Sequence, residues 1–149
     1  MKTFSLFALF LFLLMQNFAQ FSDDFSDGDF TINPIWSGNV SDYQIVSNEL
    51  NLNSSPVSST KYLSTSSQAI NGALWEFSFK MTVNPSSSNF GRVYLVSNTP
   101  NLSGNVNGYF VMIGGSTDEI SLYKQSGSII TKIIDGRDNV VNLSIVNSK

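Results

Sequence analysis

Acid–base chemistry in this 149-residue chain rests on carboxylates, because the sequence contains no His and no Cys. A Ser-His-Asp triad, a Cys-His pair and an imidazole metal site are therefore absent. A carboxylate pair of the kind that hydrolyses glycosides remains open to it. One strand arrangement of such a pair places alternate acids on one face, as in Glu-x-Asp-x-x-Glu. The glutamates are Glu49, Glu76 and Glu119, and the residues two positions after them are Asn51, Ser78 and Ser121. That spacing does not build a catalytic strand, so no catalytic residue is expected and the chain reads as a non-enzyme.

Metal chemistry has one candidate. Asp23, Asp24, Asp27 and Asp29 cluster around Gly28, and calcium takes about six to eight oxygens from carboxylates and carbonyls. The spacing resembles part of an EF-hand loop. The bidentate Glu is missing, since position 12 of a loop begun at Asp23 is Pro34. No cofactor is expected, and these four aspartates are the candidate positions for a structural calcium ion. The competing reading is a solvated turn whose carboxylates accept backbone hydrogen bonds.

Sugar binding would use aromatic faces ringed by polar side chains. Arg92 and Tyr94 alternate along one run, as do Asn107 and Tyr109 along the next. These four residues are the expected carbohydrate-binding patch, on neighbouring inner strands. Against it stands the reading of the tyrosines as core rings with a wet hydroxyl, and of Arg92 as the partner of Asp118 or Glu119.

The elements that must position these residues are strands. After the first 20 residues no stretch carries apolar residues at i, i+3, i+4 and i+7. Period two dominates instead. Trp75, Phe77, Phe79, Met81 and Val83 alternate with Glu76, Ser78, Lys80 and Thr82, which predicts one buried and one wet face with all five apolar residues in the core. Val141, Leu143 and Ile145 repeat the pattern near the end. Segments 90–96 and 109–113 are apolar on both faces and read as inner strands. Hairpins are expected over 43–52, turning at Ser47-Asn48, and over 120–134, turning at Gln125-Ser126-Gly127. Turn residues punctuate the rest: Asn84-Pro85-Ser86, Asn98-Thr99-Pro100-Asn101, Gly114-Gly115-Ser116 and Asp135-Gly136-Arg137-Asp138. About nine strands without a helix predict an all-β antiparallel sandwich or barrel in a single domain.

Residues 1–20 read as a secretory signal peptide, with Lys2, an apolar run over 4–15 and Ala19 near the cleavage point. Twelve helical residues span about 18 Å, short of a bilayer core of about 30 Å. Residues 21–149 then form the mature domain, with seven Lys/Arg against 11 Asp/Glu. That balance offers no basic stripe for nucleic acid and no polybasic segment for a membrane surface. Without disulfides, this exported domain must be held by packing, and the seven Phe that follow the leader, in a chain 42% hydrophobic overall, supply material for it.

The opening 21–30 (Phe-Ser-Asp-Asp-Phe-Ser-Asp-Gly-Asp-Phe), followed by Pro34-Ile35-Trp36-Ser37-Gly38, resembles that of concanavalin A-like (laminin-G-like) jelly-roll domains at the N-terminus of exported multidomain proteins of Bacteroidota-type bacteria. The resemblance continues in order through Trp75-Glu76-Phe77, 87–95, 107–111 and 118–127, covering nearly all of the mature chain. It implies a jelly-roll β-sandwich that is secreted or held at the cell surface. Members run on for several more strands, so the fold is expected to be incomplete at its C-terminus. The superfamily includes lectins, adhesion modules and glycoside hydrolases, and fold alone does not choose among them. The expected function is non-catalytic carbohydrate binding or cell-surface adhesion, with glycans as partners and no membrane insertion after leader removal. The alternatives are a structural N-terminal domain of a larger secreted protein, or a glycosidase whose catalytic residues lie beyond this stretch.

Overall fold

The computed structural model describes residues 22–142 and 147–148. The expected leader, and Leu143 and Ile145 of the last expected strand, lie outside the described residues. Among those described, the chain is all-β and every strand pairing is antiparallel. One 3-10 turn, Val40–Asp42, is the sole helical element there, and no helix is long and apolar enough to cross a membrane.

Two short strands, β1 (Ser37–Gly38) and β4 (Leu63–Ser64), pair with each other. Between them in the chain, β2 (Tyr43–Val46) and β3 (Glu49–Leu52) form the expected hairpin, with Val46 opposite Glu49. Ser47 and Asn48 take φ of 53° and 62°. Positive φ at both central residues marks a type I′ turn, whose twist matches that of the strands it joins. Next come β5 (Ser78–Phe79), β6 (Phe90–Ser97), β7 (Val106–Gly114), β8 (Glu119–Gly127) and β9 (Ile129–Ile134). The last four form one sheet in the order β6-β7-β8-β9, a meander in which each strand pairs with the next. Finally β10 (Asn147–Ser148) pairs with β5.

Segment 109–113 is an inner strand as expected, but β6 is not. Its one partner in the sheet is β7, so segment 90–96 forms an edge among the described residues. An apolar run on both faces is compatible with an edge here because the Phe79 ring lies against it. A Cβ at Gly91 would collide with that ring, so the glycine is what allows the close approach. The second hairpin also turns later than expected. Ser126 opposes Ile129, and Gly127 takes φ +63° at the first central position of a two-residue loop. Glycine fits that position without a Cβ penalty, which moves the turn to Gly127-Ser128.

Both faces of this sheet carry buried residues: Val106 and Phe110 on one, and an apolar cluster on the other. Met81, Ile113 and Val141 are buried, with Phe77, Phe79, Val93, Val111, Ile120 and Val140 packed around them. The expected alternation therefore holds for its middle three members. Trp75 and Val83 are 38% and 53% exposed, so the two ends of that row are not core. Among the described residues the paired part of the segment is Ser78–Phe79, and a side chain is buried only where an opposing layer reaches it.

Candidate functional site

Directly opposed residues of antiparallel strands share a face, so the register of β6 to β9 assigns each side chain to a side. Tyr94 opposes Phe110, Phe110 opposes Tyr123, and Tyr123 opposes Lys132. Arg92, Met112, Ser121 and Gln125 fall on the same side. The other side carries Val96, Tyr109, Lys124 and Thr131 on one rung, and Asn107 with Ser126 and Ile129 on the next. The four residues expected to form one sugar-binding patch are thus divided by the sheet. The register is the reason: Tyr94 opposes Phe110, the chain neighbour of Tyr109, and successive residues of a strand face opposite sides. A β-bulge after Tyr94 then brings Val96 opposite Tyr109.

Arg92 and Tyr94 belong to a packed aromatic row. Phe110 is fully buried. The Tyr94 ring centroid is 5.0 Å from it, and the Tyr123 ring stacks at 5.3 Å with planes 6° apart. The Arg92 guanidinium lies 5.0 Å from the Phe110 centroid and 5.1 Å from that of Phe90. Cation–ring attraction is its neighbourhood, rather than an ion pair with Asp118 or Glu119. The Tyr94 hydroxyl donates to Gln125 Oε1, and the Gln125 amide donates to the Gly127 carbonyl at 2.8 Å. This side of the sheet matches the reading of Tyr94 as a core ring with its hydroxyl satisfied.

At the β9 end of this side lies the cluster that the sequence pattern did not reveal. Glu119 is 1% exposed, and Lys132 Nζ approaches its Oε1 at 2.5 Å. Neither Glu119 oxygen accepts a hydrogen bond, so this ion pair is what neutralises the buried charge. Lys132 also donates to Asp135 Oδ1 at 2.6 Å. The hydrogen bond to Asp135, then the ion contact with Glu119, pushes the Lys132 ammonium well above its ordinary range. The same bond holds the Asp135 carboxyl below the usual value. Lys132 and Asp135 lie three residues apart, at the point where β9 ends. The reach to Glu119 depends on the β8–β9 register.

Tyr109 and Asn107 have a different setting. Tyr109 is 40% exposed, and Lys124, Thr131, Asn107 and Ser126 around it are exposed too. Asn107 is held in place: its Oδ1 accepts the Gly127 N–H at 3.0 Å, and its own N–H donates to Asn98 Oδ1 at 2.7 Å. The far end of this same side is covered by Phe77, Phe79 and Met81. One half of the face is therefore core, and the other is an open shelf with an aromatic ring at its centre.

The four aspartates form a series of local turns. Asp23 Oδ1 accepts the Phe25 N–H at 3.0 Å, Asp24 Oδ1 that of Ser26 at 3.0 Å and Asp27 Oδ1 that of Asp29 at 3.0 Å. Asp29 Oδ1 accepts the Thr31 N–H at 2.8 Å and its hydroxyl at 2.7 Å. Hydrogen bonds from Ser26 and Thr31 hold the Asp24 and Asp29 carboxyls low. The second Asp23 oxygen accepts the Trp36 indole N–H at 2.8 Å, which fastens the opening segment to the start of β1. Among the described residues no three acidic groups converge to hold a metal ion. The carboxylates serve the backbone, as Asx turns do.

No family model, curated protein or solved structure matches this chain.

Proposed function

We propose that the chain is an exported, non-catalytic β-sandwich module that binds carbohydrate, with the shelf around Tyr109 as its platform. The observation that carries this reading is the exposed Tyr109 ring on a strand face, bordered by Asn107, Lys124, Ser126 and Thr131. An aromatic face stacks on the C–H side of a pyranose, and the surrounding amide, hydroxyl and ammonium groups meet its hydroxyls. Fixing Asn107 Oδ1 on Gly127 turns the amide nitrogen into the donor that remains for a ligand.

A concanavalin A-like jelly roll is the architecture we assign to the whole domain. In its favour are the antiparallel four-stranded sheet and the apolar layer of Phe77, Phe79 and Met81 laid across one face. Secretion or surface display follows from the leader read over residues 1–20. The non-catalytic reading is supported by the glutamates, which do not form a pair: Glu49 and Glu76 are exposed on separate segments, and Glu119 is buried against Lys132.

A glycan array probed with the purified chain and with Tyr109→Ala tests the reading. Binding by the parent and loss in the variant, with unchanged far-ultraviolet circular dichroism, is the expected result. A parent that binds no glycan would leave the scaffold role, a structural N-terminal domain of a larger secreted protein, as the better account.

A further inference from the structure

Resting on that carbohydrate-binding reading, we infer that the Tyr109 shelf selects acidic saccharides, with the Lys124 ammonium pairing with a uronate carboxylate. The chain as a whole is acidic, with a net charge of −3, yet the shelf has the opposite sign. Its rungs are Val111 with Leu122 and Ile134; Val96 with Tyr109, Lys124 and Thr131; and Asn107 with Ser126 and Ile129. Lys124 is the one charged residue among them.

Among the described residues, Lys124 is also in no ion pair and over no ring. The ion pairs among the described residues are Lys61 with Asp42, and Lys132 with Glu119 and Asp135. Arg92 lies over the rings of Phe90 and Phe110 on the opposite side. Lys124 has no such partner, and no carboxylate stands on its rung or the two beside it. Its neighbour across the strand gap is the exposed ring of Tyr109. Opposed side chains on paired strands start about 5 Å apart. A pyranose on the tyrosine ring would therefore hold a ring carboxylate within reach of the lysine stem. The Thr131 and Ser126 hydroxyls and the Asn107 amide border the same spot and can meet the sugar hydroxyls. A neutral glucan would use the ring and the hydroxyls and leave the ammonium unmatched.

Retention of the purified chain in affinity gels containing polygalacturonate or neutral β-glucan tests this. Polygalacturonate should retard the parent strongly and the glucan weakly, and 1 M salt should remove the difference through screening. Lys124→Gln should bind polygalacturonate up to about five-fold more weakly, the scale of an exposed ion pair, and bind glucan as the parent does. Tyr109→Ala should lose both. Equal retention of the parent in the two gels, or a Lys124→Gln variant that behaves like the parent on polygalacturonate, overturns the charge selectivity alone. Retention in neither gel overturns the carbohydrate-binding reading with it.

Discussion

Lys132 on β9 reaches the carboxylate of Glu119 at the start of β8, and this contact neutralises a side chain that is 1% exposed. Removing one partner of such a pair leaves a buried charge without a counterion, whereas replacing both by apolar groups of similar volume is often neutral. Lys132→Met should lower the denaturation midpoint, and adding Glu119→Leu should restore most of the loss. A double-mutant cycle by urea denaturation measures the coupling; simple additivity would show that the contact contributes nothing.

The same cluster makes stability depend on pH at both extremes. Asp135 has a folded value lowered from 3.8, so its contribution is present above that value and lost as pH falls through the lower folded one. Lys132 has a folded value raised from 10.5, so its contribution is complete below 10.5 and is lost as pH climbs beyond it. The melting temperature should show acid and alkaline losses that Lys132→Met reduces. Identical profiles for parent and variant would contradict this.

Core position and row position are separable by mutation. Ile113 is 1% exposed, and Ile113→Ala should cost on the order of 2–5 kcal/mol by lost burial and cavity formation. Trp75→Ala, at the exposed end of the alternating row, should cost markedly less despite removing a larger side chain. Chemical denaturation of the two variants gives the comparison, and a Trp75 cost equal to that of Ile113 would place the indole in the core.

The β2–β3 turn has room for improvement. Asn48 holds φ 62°, a region where residues with a Cβ are strained and glycine is not. Asn48→Gly, which retains the type I′ geometry, should stabilise the chain by up to about 1 kcal/mol. A lower unfolding midpoint for this variant would mean that the Asn side chain contributes more than its backbone conformation costs.

Much of this architecture was legible in the residues. The period-two run from Phe77 to Met81, the positive-φ turn at Ser47-Asn48, and the Gly114-Gly115 break between β7 and β8 all belong to neighbours in the chain. A strand's two faces and a tight turn are local consequences of side-chain spacing and backbone sterics. The capacity of Asp23, Asp24, Asp27 and Asp29 to make turns was local as well, since each accepts from the backbone two residues on.

Tertiary structure decided which side of the sheet each residue shares with its neighbours. Arg92 and Tyr94 alternate as Asn107 and Tyr109 do, so the sequence alone allowed all four on one surface. The pairing of Tyr94 with Phe110 rather than with Tyr109 separates them, placing the first two against Phe110 and leaving Tyr109 exposed beside Lys124. Shifting a ladder by one residue exchanges its faces, and alternation within a single strand carries no record of such a shift. For the same reason the Lys124 and Glu119 environments, each defined by strands brought together only in the fold, became visible only once the strands were paired.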